Sequence, residues 1–121
     1  MMEMDSRREV IAMKYQVCSW DALLEKKKLR FQAGSRFVLV AVADGRPCAI
    51  ADKCPHMGFP LSGGRFEDGR IRCKEHGLEI DVRTGAVVDA AKADFLKLGP
   101  LDRSVRTYPA AVENGFVTIE V

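Results

Sequence analysis

The 121-residue chain is 47% apolar and carries a net charge of +2, with acidic and basic residues interspersed. That length fits one globular domain, and the charge balance lacks the concentrated basic face that a nucleic-acid partner demands. No run approaches the roughly 18 apolar residues of a membrane span, and the charged N-terminus MMEMDSRREVIAMKYQ has no hydrophobic signal core, so the expected compartment is the cytoplasm and no membrane partner is expected.

Residues 1–12 read as a poorly ordered extension before a second methionine, Met13, and a first strand-like segment. Trp20 to Lys27 follows Ser19, a fitting N-cap, and reads as a short helix. The run Lys26-Lys27-Lys28 with Arg30 reads as a solvated edge. The segments LRFQA, RFVLVAVA, PCAIAD, RIRC, LEIDV, RTYPAAVE and FVTIEV then follow, rich in Val, Ile and Phe, and read as short strands. Asp44-Gly45 and Asn114-Gly115 read as tight hairpin turns. GGRFEDGRIR reads as a hairpin with Asp68-Gly69 at its tip. Ala90 to Leu98 is Ala-rich and reads as a second helix, ending at Gly99-Pro100.

The pattern predicts an all-β fold, a small antiparallel sandwich or barrel, with residues 13–121 as a single domain. The strands before Asp52 and after about Val87 are expected to form one body. Residues 53–82 are expected to interrupt it as a loop-rich subdomain. Cys18 and Cys48 lie in strand-like segments and read as small buried hydrophobes, Tyr15 and Trp20 as core or edge aromatics.

Chemistry concentrates in KCPHMGFPLSGGRFEDGRIRCKEHGLEID. Both histidines of the chain and two of its four cysteines stand there, as Cys54-x-His56, sixteen residues, then Cys73-x-x-His76. In a reducing compartment such clustering points to metal rather than to disulfides. Thiolate and imidazole ligands suit zinc or iron–sulfur chemistry. Gly58, Gly63, Gly64 and Gly77 would allow close backbone approach to a buried centre. Pro55 and Pro60 would stiffen the first loop, and Met57, Phe59, Leu61 and Leu78 would supply apolar cover.

CPHMGFPLSGG followed by CKEHGLEIDVRTG resembles the two cluster-binding loops of the Rieske family. GRPCAIADKCPH and VRTYPAAVENGFVTIEV resemble its flanking strands, so the likeness covers nearly all of residues 13–121. It implies one [2Fe-2S] cluster, with Cys54 and Cys73 on one iron and His56 and His76 on the other. Gly99-Pro100 would be a third loop over that cluster.

The departures matter. Quinol-oxidising members carry an extra cysteine in each loop, where this chain has Phe59 and Glu75. They also place hydroxyl donors where it has Leu78 and Ile80. Other members have tryptophans at the positions of Glu75 and Leu78. The resemblance is therefore to the low-potential ferredoxins, which are one-electron carriers without catalytic activity of their own. It implies a monomer that takes electrons from a flavoprotein reductase and passes them to a terminal oxygenase. No Gly-rich dinucleotide fingerprint is present. Two alternatives stand beside this reading: a small subunit of a larger reductase such as assimilatory nitrite reductase, and a zinc-stabilised interaction module.

Overall fold

The segment RFVLVAVA is a nearly unbroken apolar run, and the computed structural model shows why. It forms strand β3 (Arg36–Ala43), which is buried on both faces. The structure describes residues 12–55, 58–74, 77–89 and 104–121. Strand side chains alternate between faces. Val38 and Val40 accordingly enter one core, while Leu39, Ala41 and Ala43 enter another. Each buried Val or Leu contributes about 1.5–3 kcal/mol relative to exposure.

Among the described residues there are three antiparallel sheets. The central one orders β2 (Lys28–Ala33), β3, β4 (Arg46–Ala51) and β9 (Thr107–Tyr108). A second orders β1 (Lys14–Ser19), β11 (Phe116–Glu120) and β10 (Ala110–Glu113). The third orders β5 (Arg65–Glu67), β6 (Arg70–Arg72), β7 (Glu79–Asp81) and β8 (Val87–Asp89). One core gathers Leu23, Val38, Val40, Ala49, Val117 and Ile119, between the first two sheets and the helix. The other joins Leu39 and Ile50 of the central sheet to Ile71 and Ile80 of the third.

The helix α1 (Trp20–Lys26) starts where Ser19 accepts a hydrogen bond from the Ala22 N–H at 3.1 Å. It buries Leu23. Trp20 is half-buried, and Tyr15 packs edge-on against Phe31 at 5.9 Å. The three expected hairpins form. Asp44-Gly45, Asp68-Gly69 and Asn114-Gly115 each adopt positive φ at both positions, the geometry of the tight turn that matches strand twist.

Two expectations need correction. RTYPAAVE is not one strand. It breaks at Pro109 into β9, which pairs with β4, and β10, which pairs with β11. Proline donates no ladder hydrogen bond, so the chain changes sheets there. Val87–Asp89 also does not return to the central sheet but pairs with β7 as the edge of the third. The way back is through the Ala86–Ser104 bridge and the Val105 N–H to Gly85 carbonyl bond at 2.7 Å. The expected helix over 90–98 and the Gly99-Pro100 loop lie outside the described residues, as do residues 1–11. No helix among the described residues is long and apolar enough to cross a membrane.

Candidate metal centre

Cys54 stands three residues beyond β4, and Cys73 directly follows β6. The two loops they open have one hydrogen-bonding frame. The Cys54 N–H donates to the Phe59 carbonyl at 2.7 Å, and the Gly58 N–H donates to the Cys54 carbonyl at 2.8 Å. In the second loop the Cys73 N–H donates to the Leu78 carbonyl at 2.8 Å, and the Gly77 N–H donates to the Cys73 carbonyl at 2.9 Å. Each glycine stands four residues after its cysteine, with φ of +81° at Gly58 and +76° at Gly77. Side chains other than glycine are strained there. The sequence echo of the two loops is thus an echo of backbone geometry.

Both cysteines are buried, each 1% exposed, and belong to the core that holds Leu61, Ile71, Leu78 and Ile80. Two loops from different parts of the chain therefore deliver a thiol each into one water-excluded region. The thiolate is the form that ligates metal. This donor pair fits one iron of a [2Fe-2S] group. His56 and His76, the other expected ligands, lie outside the described residues, with Met57 and Glu75. Cys18 and Cys48 are half-buried on β1 and β4, and burial pushes both thiols up.

The apolar cover is narrower than the sequence suggests. Leu61 and Leu78 are buried, but Phe59 is 40% exposed, flanked by exposed Gly58 and Pro60. Of the glycines, Gly64 makes the close backbone approach, against the Arg72 carbonyl, whereas Gly63 faces only the Lys74 side chain.

Sequence reasoning missed the group that anchors the first loop. Asp52 is buried, and one carboxylate oxygen accepts from the Leu61 and Ser62 N–H groups, each at 2.7 Å. The other accepts from the Ser62 hydroxyl at 2.7 Å and pairs with the Arg30 guanidinium at 2.8 Å. Lys28 donates to the Ser62 carbonyl at 2.6 Å. Lys28 and Arg30 therefore hold a loop and are not simply a solvated edge. The available signal was the alternation of Lys28, Arg30 and Gln32 along one face of β2.

The third sheet is clamped at its far end. Arg83 pairs with Asp44 at 2.6 Å and with Asp81 at 3.0 Å, and donates to the Asp68 carbonyl at 3.0 Å. The turn of β3–β4 is thereby tied to the tip of β5–β6.

The Rieske [2Fe-2S] domain model matches residues 13–109. The ferredoxin component of biphenyl 2,3-dioxygenase from Rhodococcus jostii (strain RHA1) is 36% identical over 105 residues, which cover 87% of this chain and 90% of that one. The vanillate O-demethylase oxygenase subunit of Pseudomonas sp. (strain HR199 / DSM 7063) is 38% identical over 66 residues, 54% of this chain. The chain spans only about a fifth to a quarter of the vanillate O-demethylase oxygenase subunits it matches, 19% and 24%. Among solved structures, the ferredoxin of carbazole 1,9a-dioxygenase from Nocardioides aromaticivorans IC177 superposes with a TM-score of 0.72 at 25% identity. That match covers 88% of this chain and 95% of the other. These matches carry the iron–sulfur reading over the zinc one. With matched loops around two buried cysteines, and with the family model spanning residues 13–109, this chain belongs to the Rieske [2Fe-2S] domain family.

Proposed function

We propose that the chain is a one-electron carrier of the ferredoxin type, receiving electrons from a flavoprotein reductase and passing them to a terminal oxygenase. Cys54 and Cys73 hold one iron and His56 and His76 the other. The observation that carries this reading is the common frame of the two loops, which brings both cysteines into one core. Near-complete coverage of dioxygenase ferredoxin components supports it. The cluster, when bound, supplies a one-electron couple with histidine ligands that raise its potential over an all-cysteine centre.

The chain's own residues set the conditions. Leu61, Leu78 and Ile80 keep water from the cysteines. Leu78 and Ile80 carry no hydroxyl, so neither can donate a hydrogen bond to sulfur, and the potential belongs near −150 mV, roughly the low end of the Rieske range. Exposed Phe59 and Pro60 offer an apolar contact beside the first loop, suited to brief docking of a redox partner. Residues 13–121 act as one domain, and the chain works as a monomer.

The test is coulometric. Purified protein should take up one electron per chain from dithionite and pass it to ferricytochrome c. Uptake of no electron, or a reduced form that cytochrome c cannot reoxidise, would overturn the proposal.

A further inference from the structure

We propose that Asp52 is a positioning residue of the metal centre, which fixes the exit of the first loop and, with Arg30, sets the charge beside the cluster. The inference rests on the electron-carrier reading above and concerns residues that the ligand set does not include.

Asp52 closes a ring. It lies two residues before Cys54, and its carboxylate holds the backbone of Leu61 and Ser62, nine and ten residues on. The whole first loop lies between these two fixed points. The exit is held on its other side too, because Lys28 grips the Ser62 carbonyl at 2.6 Å. Leu61 is fully buried beside Cys54 and Cys73. Its carbonyl accepts from the Gly64 N–H at 2.9 Å. Asp52 itself is fixed by its own N–H, which donates to the Phe37 carbonyl at 3.0 Å. Both ends of the loop are therefore held by protein contacts.

The pair is electrically lopsided. The Asp52 side chain is 0% exposed, whereas the Arg30 side chain is 43% exposed and lies over the Phe37 ring at 3.9 Å from its centre. Water screens the arginine better than the carboxylate. Two residues of chain span at most about 7 Å, so the Asp52 and Cys54 backbones lie within that distance, and the buried carboxylate is a poorly screened negative charge at the base of the loop that Cys54 opens. An added electron is opposed by that charge and favoured by Arg30.

This gives effects of opposite sign. Asp52→Asn removes the negative charge and should favour reduction by about tenfold, about 59 mV upward for one electron. Arg30→Gln leaves the carboxylate uncompensated and should disfavour reduction by about threefold, the smaller change reflecting its exposure. The double variant should lie between the two, about threefold in favour of reduction relative to the parent. A purely structural role would move stability in both single variants, leave the potentials unsplit, and make the double variant the worst.

The experiment is voltammetry of the four loaded proteins, with visible and EPR spectra to show the same ligand set. Amide exchange at Leu61 and Ser62 should quicken in Asp52→Asn. Potentials that move the same way in both single variants, or not at all, overturn the inference. If Asp52→Asn does not load, Arg30→Gln alone decides: a fall supports the assignment, and a rise or no change overturns it. A parent protein without the iron–sulfur colour would instead overturn the electron-carrier reading.

Discussion

The adjacent glycines Gly63 and Gly64 should respond oppositely to alanine. Neither has positive φ, so neither needs glycine for its backbone angle. A Cβ on Gly63 would meet only Lys74 Cδ at 3.4 Å, the flexible part of an exposed side chain. Gly63→Ala should change stability by less than about 1 kcal/mol, with a small gain expected from reduced unfolded-chain entropy. A Cβ on Gly64 would overlap the Arg72 carbonyl oxygen, and would lie 2.9 Å from its carbon and 3.2 Å from the Leu61 carbonyl oxygen. All three atoms are backbone and cannot turn aside. Relief requires the two segments to separate by about 1 Å or more, in an interior as densely packed as a crystal. Arg72 directly precedes Cys73, and Leu61 packs in the core with Cys54, so that separation pries the two cysteine loops apart. Overpacking of this kind costs about 1–3 kcal/mol or more, a fall of roughly 10 °C in the midpoint for a domain of this size. The assay is thermal loss of visible colour in both variants and the parent, with iron content per chain. Gly64→Ala protein that loads iron fully and bleaches at the parent temperature would refute the close approach.

Leu78→Ser places a hydroxyl at a buried position next to the second loop. It should raise the potential by roughly 40–90 mV, if the new bond is worth about 1–2 kcal/mol more in the reduced state; an unchanged potential with an intact spectrum would contradict the placement of Leu78. Cys54→Ser and Cys73→Ser should each abolish colour and lower stability, since metal binding and folding are coupled; full iron retention in either would exclude that cysteine as a ligand. Arg83→Ala should lower thermal stability by releasing Asp44. The hydrogen bond from Arg83, and then its charge, hold the Asp44 carboxyl below the usual carboxylate range. A carboxylate lowered in this way stabilises above its unfolded pKa and loses that contribution as pH falls through the folded value. The gap between parent and variant should therefore be constant near neutrality and close below about pH 4, and also narrow in high salt. A gap that widens in acid would reverse the assignment.

The turns were the most legible part of the fold. Asp-Gly and Asn-Gly are chosen where two successive positive φ values are required, and that demand is local. The paired loops were legible for a related reason, since each cysteine is followed at the fourth position by the glycine its frame needs. Membership of sheets was less so. Nothing within VVD says that it pairs with β7 rather than the central sheet, because pairing depends on distant partners. The break at Pro109 could have been read from proline's missing N–H. The Asp52 anchor was the hardest to see. Its donors come from Arg30, Leu61 and Ser62, and an isolated aspartate at a strand end gives no sign that it will be buried. The distinction between Gly63 and Gly64 likewise lies in what passes beside each one.

The most direct measurement is the metal content and spectrum of freshly purified protein, before and after dithionite. The account predicts a red-brown protein with about two irons and two acid-labile sulfides per chain, which bleaches on reduction and then shows the EPR signal of a cluster with histidine ligands. Colourless protein with stoichiometric zinc, made with adequate iron and sulfide supply, would contradict it.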